Sequence, residues 1–140
     1  MGNKYFRNRT YFPIPQIETM RKNYPNQFTN KWNNNKLIFY GKIRPTPEMD
    51  EYVVKIIYNG TCKNPTVYVI SPQLDKDTPH IYSDGCLCLY HPNNFKWDCR
   101  KFIANEIVQW TTAWLYFYEC WLDTGVWYGP EVQHESNKNK

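Results

Sequence analysis

The sequence predicts an α+β domain in which one long helix lies across a small antiparallel sheet. Two observations carry that prediction. Three short runs rich in β-branched and aromatic residues follow one another between residues 37 and 70, joined by turn-forming residues. An apolar stripe at helical spacing then runs from Ile103 to Trp121.

The elements follow in chain order. Residues 13–24 open on Pro13 and Pro15, carry Ile14, Ile17 and Met20 at near-helical spacing, and stop before Pro25. Proline is favoured in a first helical turn and disfavours helix in the residue before it, so a short amphipathic helix is expected. Residues 26–36 are polar and asparagine-rich and read as a connecting loop with Trp32 as its anchor. The three strands are residues 37–44 (LIFYGKIR), 51–58 (EYVVKIIY) and 66–70 (TVYVI). Pro45-Thr46-Pro47 breaks the first from the second, Asn59-Gly60 is a turn signal, and Pro72 ends the third. Such short connections imply a meander.

Residues 71–98 show no long period and form a loop. A loop of this length in a compact domain is usually functional, and Ile81, Leu87, Leu89, Phe95 and Trp97 are the residues expected to pin it to the core. The main helix is expected to start at Asp98 as N-cap. Ile103, Ile107, Trp110, Trp114, Phe117 and Trp121 recur at spacings of four, three, four, three and four, which reads as one buried stripe. Gly125 is the expected left-handed residue after the last turn.

With 140 residues, 41% hydrophobic and 21% charged, the chain reads as a single domain, 1–140, with loose ends at about 1–10 and 131–140. Aromatics make up 18%, and each buries roughly 150–250 Å². A net charge of +4 without a dense Lys/Arg block argues against a nucleic-acid surface. The polar start, Met1-Gly2-Asn3-Lys4, lacks the apolar core of a signal peptide, and Phe6 stands where a myristoylation motif wants Ser or Thr. The most apolar stretch, residues 110–122, is too short to span a bilayer. A soluble cytoplasmic protein is expected. Five cysteines, an odd number, with no export signal argue against a disulfide framework.

The chemistry concentrates in residues 78–97, T-P-H-I-Y-S-D-G-C-L-C-L-Y-H-P-N-N-F-K-W. Cys86 and Cys88 flank Leu87, so in an extended segment both sulfurs share one face. His80 precedes Cys88 by eight residues and His91 follows it by three. Three chemistries compete. A thiolate nucleophile could carry an acyl group as a thioester, given an oxyanion donor. Zinc could be held by Cys86, Cys88, His91, Cys99 and His80, although Cys-x-Cys is not the usual knuckle. A redox pair is the third, against the Cys-x-x-Cys norm. Cys62 and Cys120 read as inert small hydrophobes, whereas Cys99 at the helix start could have a lowered pKa.

The order of elements around this loop resembles ubiquitin-conjugating enzymes. There, a His-Pro-Asn motif precedes Asn/Asp-Gly-x-Ile/Leu-Cys-Leu, and a Trp stands before a helix. Here the corresponding residues are Thr78-Pro79-His80, then Asp84-Gly85-Cys86-Leu87-Cys88-Leu89, then Trp97. The resemblance implies the UBC-like fold and fixes Cys88 as the acceptor cysteine. It puts His80 where the family has the Asn that supports the oxyanion. Cys86 and His91 become supporting candidates that could lower the Cys88 pKa or assist an incoming amine. Asp84 is a candidate to orient the amine, or simply a turn residue before Gly85. Trp97 packs the loop onto the core. The substituted Asn, and a chain that ends soon after the main helix, are most similar to the conjugating-enzyme-like proteins of bacterial CBASS anti-phage operons. The tail from Gly125 to His134 resembles a Trp/Gly/His-containing closure of those proteins. That resemblance implies a cysteine-dependent acyltransferase that forms a thioester with the C-terminus of a cGAS-like cyclic-nucleotide synthase and passes it to an amine. It needs no cofactor of its own and involves neither nucleic acid nor membrane. The sequence leaves no room for an activating domain and holds no nucleotide-binding glycine motif. A non-catalytic binding module of the same fold and a zinc-stabilised domain are the alternatives.

Overall fold

The computed structural model describes residues 13–59, 64–89, 97–98 and 100–130. Helix α1 (Pro13–Asn23) leads into four strands, β1 (Phe28–Asn33), β2 (Lys36–Ile43), β3 (Tyr52–Tyr58) and β4 (Thr66–Ser71), and the chain then reaches helix α2 (Ile103–Thr124). The sheet order is β1-β2-β3-β4, with every neighbouring pair antiparallel. The expected α+β meander is present, with one strand more than the sequence suggested.

That extra strand corrects the loop expected over residues 26–36. β1 is polar because all of it except Phe28 faces solvent, so it carries no alternation of apolar and polar residues. A two-residue turn, Asn34-Asn35, with φ of 54° and 66°, joins it to β2. Asparagine accepts this left-handed conformation better than most residues, and the resulting turn matches strand twist. Trp32 is no anchor; it pairs with Leu37 in the ladder and is 47% exposed. The anchor is Phe28, whose ring covers its cross-strand partner Gly41 so closely that a Cβ there would lie 2.1 Å from Cδ2.

α1 matches its expected span, but not its expected face. Met20 is buried and Ile17 partly so, whereas Ile14 is 58% exposed. Gln16 takes the inward position. Its Oε1 accepts the Ile103 N–H at 2.8 Å, and its Nε2 donates to the Lys101 carbonyl at 2.8 Å. This corrects the expected start of α2. Asp98 caps only a local turn, accepting the Arg100 N–H and, through its carbonyl, the Lys101 N–H. The helix begins at Ile103, where the N-cap residue Phe102 has no capping side chain. A side chain from another helix satisfies the orphan donor instead.

The buried face of α2 is Ile103, Ala104, Ile107, Val108, Thr111, Trp114, Leu115 and Tyr118. The expected stripe is therefore rotated: Trp110, Phe117 and Trp121 sit on its shoulder, partly buried. Tyr118 meets Tyr52 of β3 edge to face at 6.2 Å, and the Tyr52 hydroxyl bonds Glu119. Trp97 is buried against Tyr58 at 6.1 Å, pinning the loop as expected. Gly125 ends the helix with φ 77° and gives its N–H to the Trp121 carbonyl at 2.8 Å. Among the described residues, no helix is long and apolar enough to cross a membrane. The ends at 1–10 and 131–140 lie outside the described residues.

Candidate active site

The segment from His80 to Cys88 folds back on itself as a short hairpin. The Cys88 N–H donates to the His80 carbonyl at 3.0 Å, and the Tyr82 N–H donates to the Cys86 carbonyl at 2.9 Å. Ile81 and Leu87 form a bridge between them. Ser83-Asp84-Gly85 is the tip. Gly85 supplies φ 93°, which other residues rarely adopt, and gives its N–H to the Tyr82 carbonyl. Asp84 is held at both oxygens: Oδ1 accepts the Cys86 N–H at 3.0 Å and Oδ2 the Tyr68 hydroxyl at 3.1 Å. That is the bonding of a turn residue fastened to β4. The Leu87 N–H, donated to the Val67 carbonyl at 2.9 Å, moors the hairpin to the same strand.

Strand-like alternation then sorts the side chains. Leu87 and Leu89 belong to the core and Ile81 packs against it. His80, Tyr82, Cys86 and Cys88 take the opposite face, so the two sulfurs share a side as the spacing predicts. Tyr82 lies diagonally across from Cys88 on that face, close enough for its hydroxyl to lower the thiol's pKa.

Cys86, Cys88 and Cys120 are free thiols. Cys88 is 3% exposed. Burial pushes its thiol from the ordinary 9.0 up to about 12, because a thiolate loses hydration there. The Tyr82 hydroxyl pulls the other way, while negative charge on Cys86 or Asp84 pushes it further up. Cys86 therefore does not lower the Cys88 pKa, as the sequence had suggested it could. Its own thiol is raised by burial, opposed by a hydrogen bond from the Val67 backbone.

His80 adopts φ 60°, in the left-handed region. Its ring lies 4.8 Å from that of Trp127, which comes from the segment after α2. Trp127 in turn packs on Trp114 at 5.4 Å and Phe117 at 6.2 Å. Gly129 lets this segment press onto α2, since a Cβ there would fall 2.5 Å from the Phe117 ring. The result is a cleft of about 400 Å³ that reaches Cys88 and is walled by Trp110, Trp114, Phe117 and Trp127.

The structure thus brings Cys88, Cys86 and His80 together and places Asp84 at the hairpin tip. His91, Cys99 and Cys62 lie outside the described residues. Among the described residues, no group of three or more His, Cys, Asp or Glu is placed to hold a metal. Sequence reasoning missed Tyr82. The signal was there: a turn centred on Asp84 pairs position 82 with 86 and leaves 82 and 88 on one face. The contact of Trp127 with His80 depends on tertiary packing that no local pattern encodes.

A family model described as Type II CBASS E2 protein matches residues 16–135. No curated protein matches the chain.

Proposed function

The chain belongs to the Type II CBASS E2 protein family, an E2-like component of CBASS defence, and from that premise we propose that it is an acyl carrier acting through Cys88. The observation that supports this most is a free Cys88 thiol lining the cleft, with Tyr82 beside it lowering its pKa.

Thioester formation from a free carboxylate is uphill, so the donor arrives activated, as an acyl adenylate or a thioester. The Cys88 thiol passes its proton to solvent, and the thiolate attacks the carbonyl carbon. A C–S bond forms, and the adenylate or thiol leaves. Tyr82 stabilises the developing thiolate through its O–H, and the oxyanion of the tetrahedral intermediate draws on the His80 imidazole. In the second half, an amine attacks the thioester and the Cys88 thiolate departs, again with the Tyr82 hydroxyl as its support. The donor is the C-terminus of a partner protein, which the resemblance to CBASS conjugating-enzyme-like proteins makes a cGAS-like cyclic-nucleotide synthase. Intact mass of the protein co-expressed with its genomic neighbours tests this: an adduct removed by hydroxylamine and absent in Cys88→Ala is expected.

One observation favours a second reading. A protonated thiol that is 3% exposed is also what an inert buried cysteine looks like. A non-catalytic module that holds its partner would need no more. A stable complex unaffected by Cys88→Ala, with no covalent adduct, would decide for it.

A further inference from the structure

The sheet has two faces, and one of them carries the core. Leu37, Phe39, Val54, Ile56, Tyr58 and Val67 point inward, into the cluster shared with the helices. Strand alternation turns their neighbours the other way. The register lays this outer face out in rows. Lys31, Ile38, Ile57 and Thr66 form one, Thr29, Tyr40, Lys55 and Tyr68 the next, and Lys42 pairs with Val53 in a third. Lys36 continues the same face at the start of β2.

Four lysines on three strands therefore share one face. The sequence shows no basic block because strand pairing, not chain order, gathers them. None of the four strands contains Asp or Glu. Among the described residues the four lysines form no ion pair, and Lys31, Lys36 and Lys42 are exposed. Asp84 meets the face at its β4 edge, where it accepts the Tyr68 hydroxyl at 3.1 Å. A field of one sign attracts a polyanion, and the rings decide which kind. Tyr40 and Tyr68 flank Lys55 in one row, two strands and so roughly 10 Å apart, and both are partly exposed. On a four-stranded sheet, such rings offer stacking surfaces to unpaired bases while lysines meet the phosphates. An acidic peptide carries charge but no bases to use the rings. A flat face has no projecting helix or ribbon to enter a duplex groove.

We propose that the outer face of the sheet binds single-stranded nucleic acid, with Tyr40 and Tyr68 stacking on bases and Lys31, Lys36, Lys42 and Lys55 contacting the backbone. The proposal stands apart from the chemistry of Cys88, whose hairpin lies beyond β4.

Fluorescence anisotropy of labelled oligo(U), oligo(dT) and a mixed-sequence duplex tests it on the full chain. Both single strands are expected to bind more tightly than the duplex. Four neutralised phosphates give a log–log salt slope of about −3, so a fourfold rise in salt weakens binding roughly 50-fold. Lys42→Glu, at an exposed position, and Tyr40→Leu should each weaken binding roughly tenfold or more. Tyr40→Phe keeps the stacking ring and should bind as wild type, as should Cys88→Ala. Tighter binding of oligo(U) identifies RNA and of oligo(dT) DNA, and either supports the proposal. Failure of both single strands to bind at low salt, a duplex bound as well as they are, or wild-type binding by Tyr40→Leu overturns it. Loss of binding in Cys88→Ala places the strand elsewhere and overturns it too. Displacement of the oligonucleotide by polyglutamate of equal charge assigns the face to an acidic protein, against the proposal.

Discussion

Tyr82 sits diagonally across the hairpin from Cys88, and its hydroxyl lowers the thiol's pKa against the burial that holds it protonated. Tyr82→Phe keeps the ring and removes the donor. A hydrogen bond to a charged group contributes about 1.5–3 kcal/mol. Transfer through Cys88 is therefore expected to slow by roughly 10- to 100-fold with the fold intact. Single-turnover loading with a peptide thioester measures it; an unchanged rate would remove Tyr82 from the mechanism.

The same balance sets a pH dependence. Burial raises the thiol to about 12 from 9.0, so the protonated form dominates at neutral pH and the reactive thiolate gains about tenfold per pH unit on the way up. Alkylation of Cys88 by iodoacetamide should keep climbing past pH 9, where an unperturbed thiol levels off. The unfolded chain loses this proton near 9.0 and the folded one only near 12, so this group's contribution to stability is complete below pH 9 and is lost between those values. A plateau at pH 8–9 in the mapped Cys88 peptide would contradict the assigned environment.

Gln16 ties α1 to the start of α2 by two hydrogen bonds of 2.8 Å. Gln16→Leu would leave the buried Ile103 N–H without its acceptor, at a cost of about 1–3 kcal/mol. Urea unfolding should show a lower midpoint with an unchanged slope. No change in midpoint would mean that water or backbone replaces the cap.

Gly129 lets the segment carrying Trp127 approach Phe117. Gly129→Ala forces that ring or that segment to move, which loosens Trp127 from His80 and opens the cleft. Faster Cys88 alkylation at fixed pH, with Cys120 reactivity unchanged, is the expected result. Equal Cys88 rates would show that Trp127 does not govern access.

Much of this fold was legible because its physics is local. Strands β2, β3 and β4 carry their β-branched and aromatic runs in the sequence, and Gly125 announces the end of α2. β1 was hidden because a solvent-facing edge strand needs only backbone pairing. The start of α2 was misplaced because its cap comes from Gln16, 87 residues away, and no motif marks a cap supplied from another helix. Ile103, Ile107 and Trp114 of the α2 stripe face the core as expected, but Trp110 and Phe117 serve the cleft, and residues outside the stripe such as Ala104 and Val108 fill the core beside them. Cys88 and His80 were singled out by a family resemblance carried by about twenty residues, but their relation to Trp127 required the tertiary fold.

The central claim is that Cys88 carries an acyl group. Intact mass spectrometry of the wild-type chain co-expressed with its genomic neighbours, before and after hydroxylamine, tests it most directly. The account predicts an added mass equal to a neighbour's polypeptide less water, removed by hydroxylamine and absent in Cys88→Ala. An unmodified wild-type chain in a complex that persists in Cys88→Ala would contradict it.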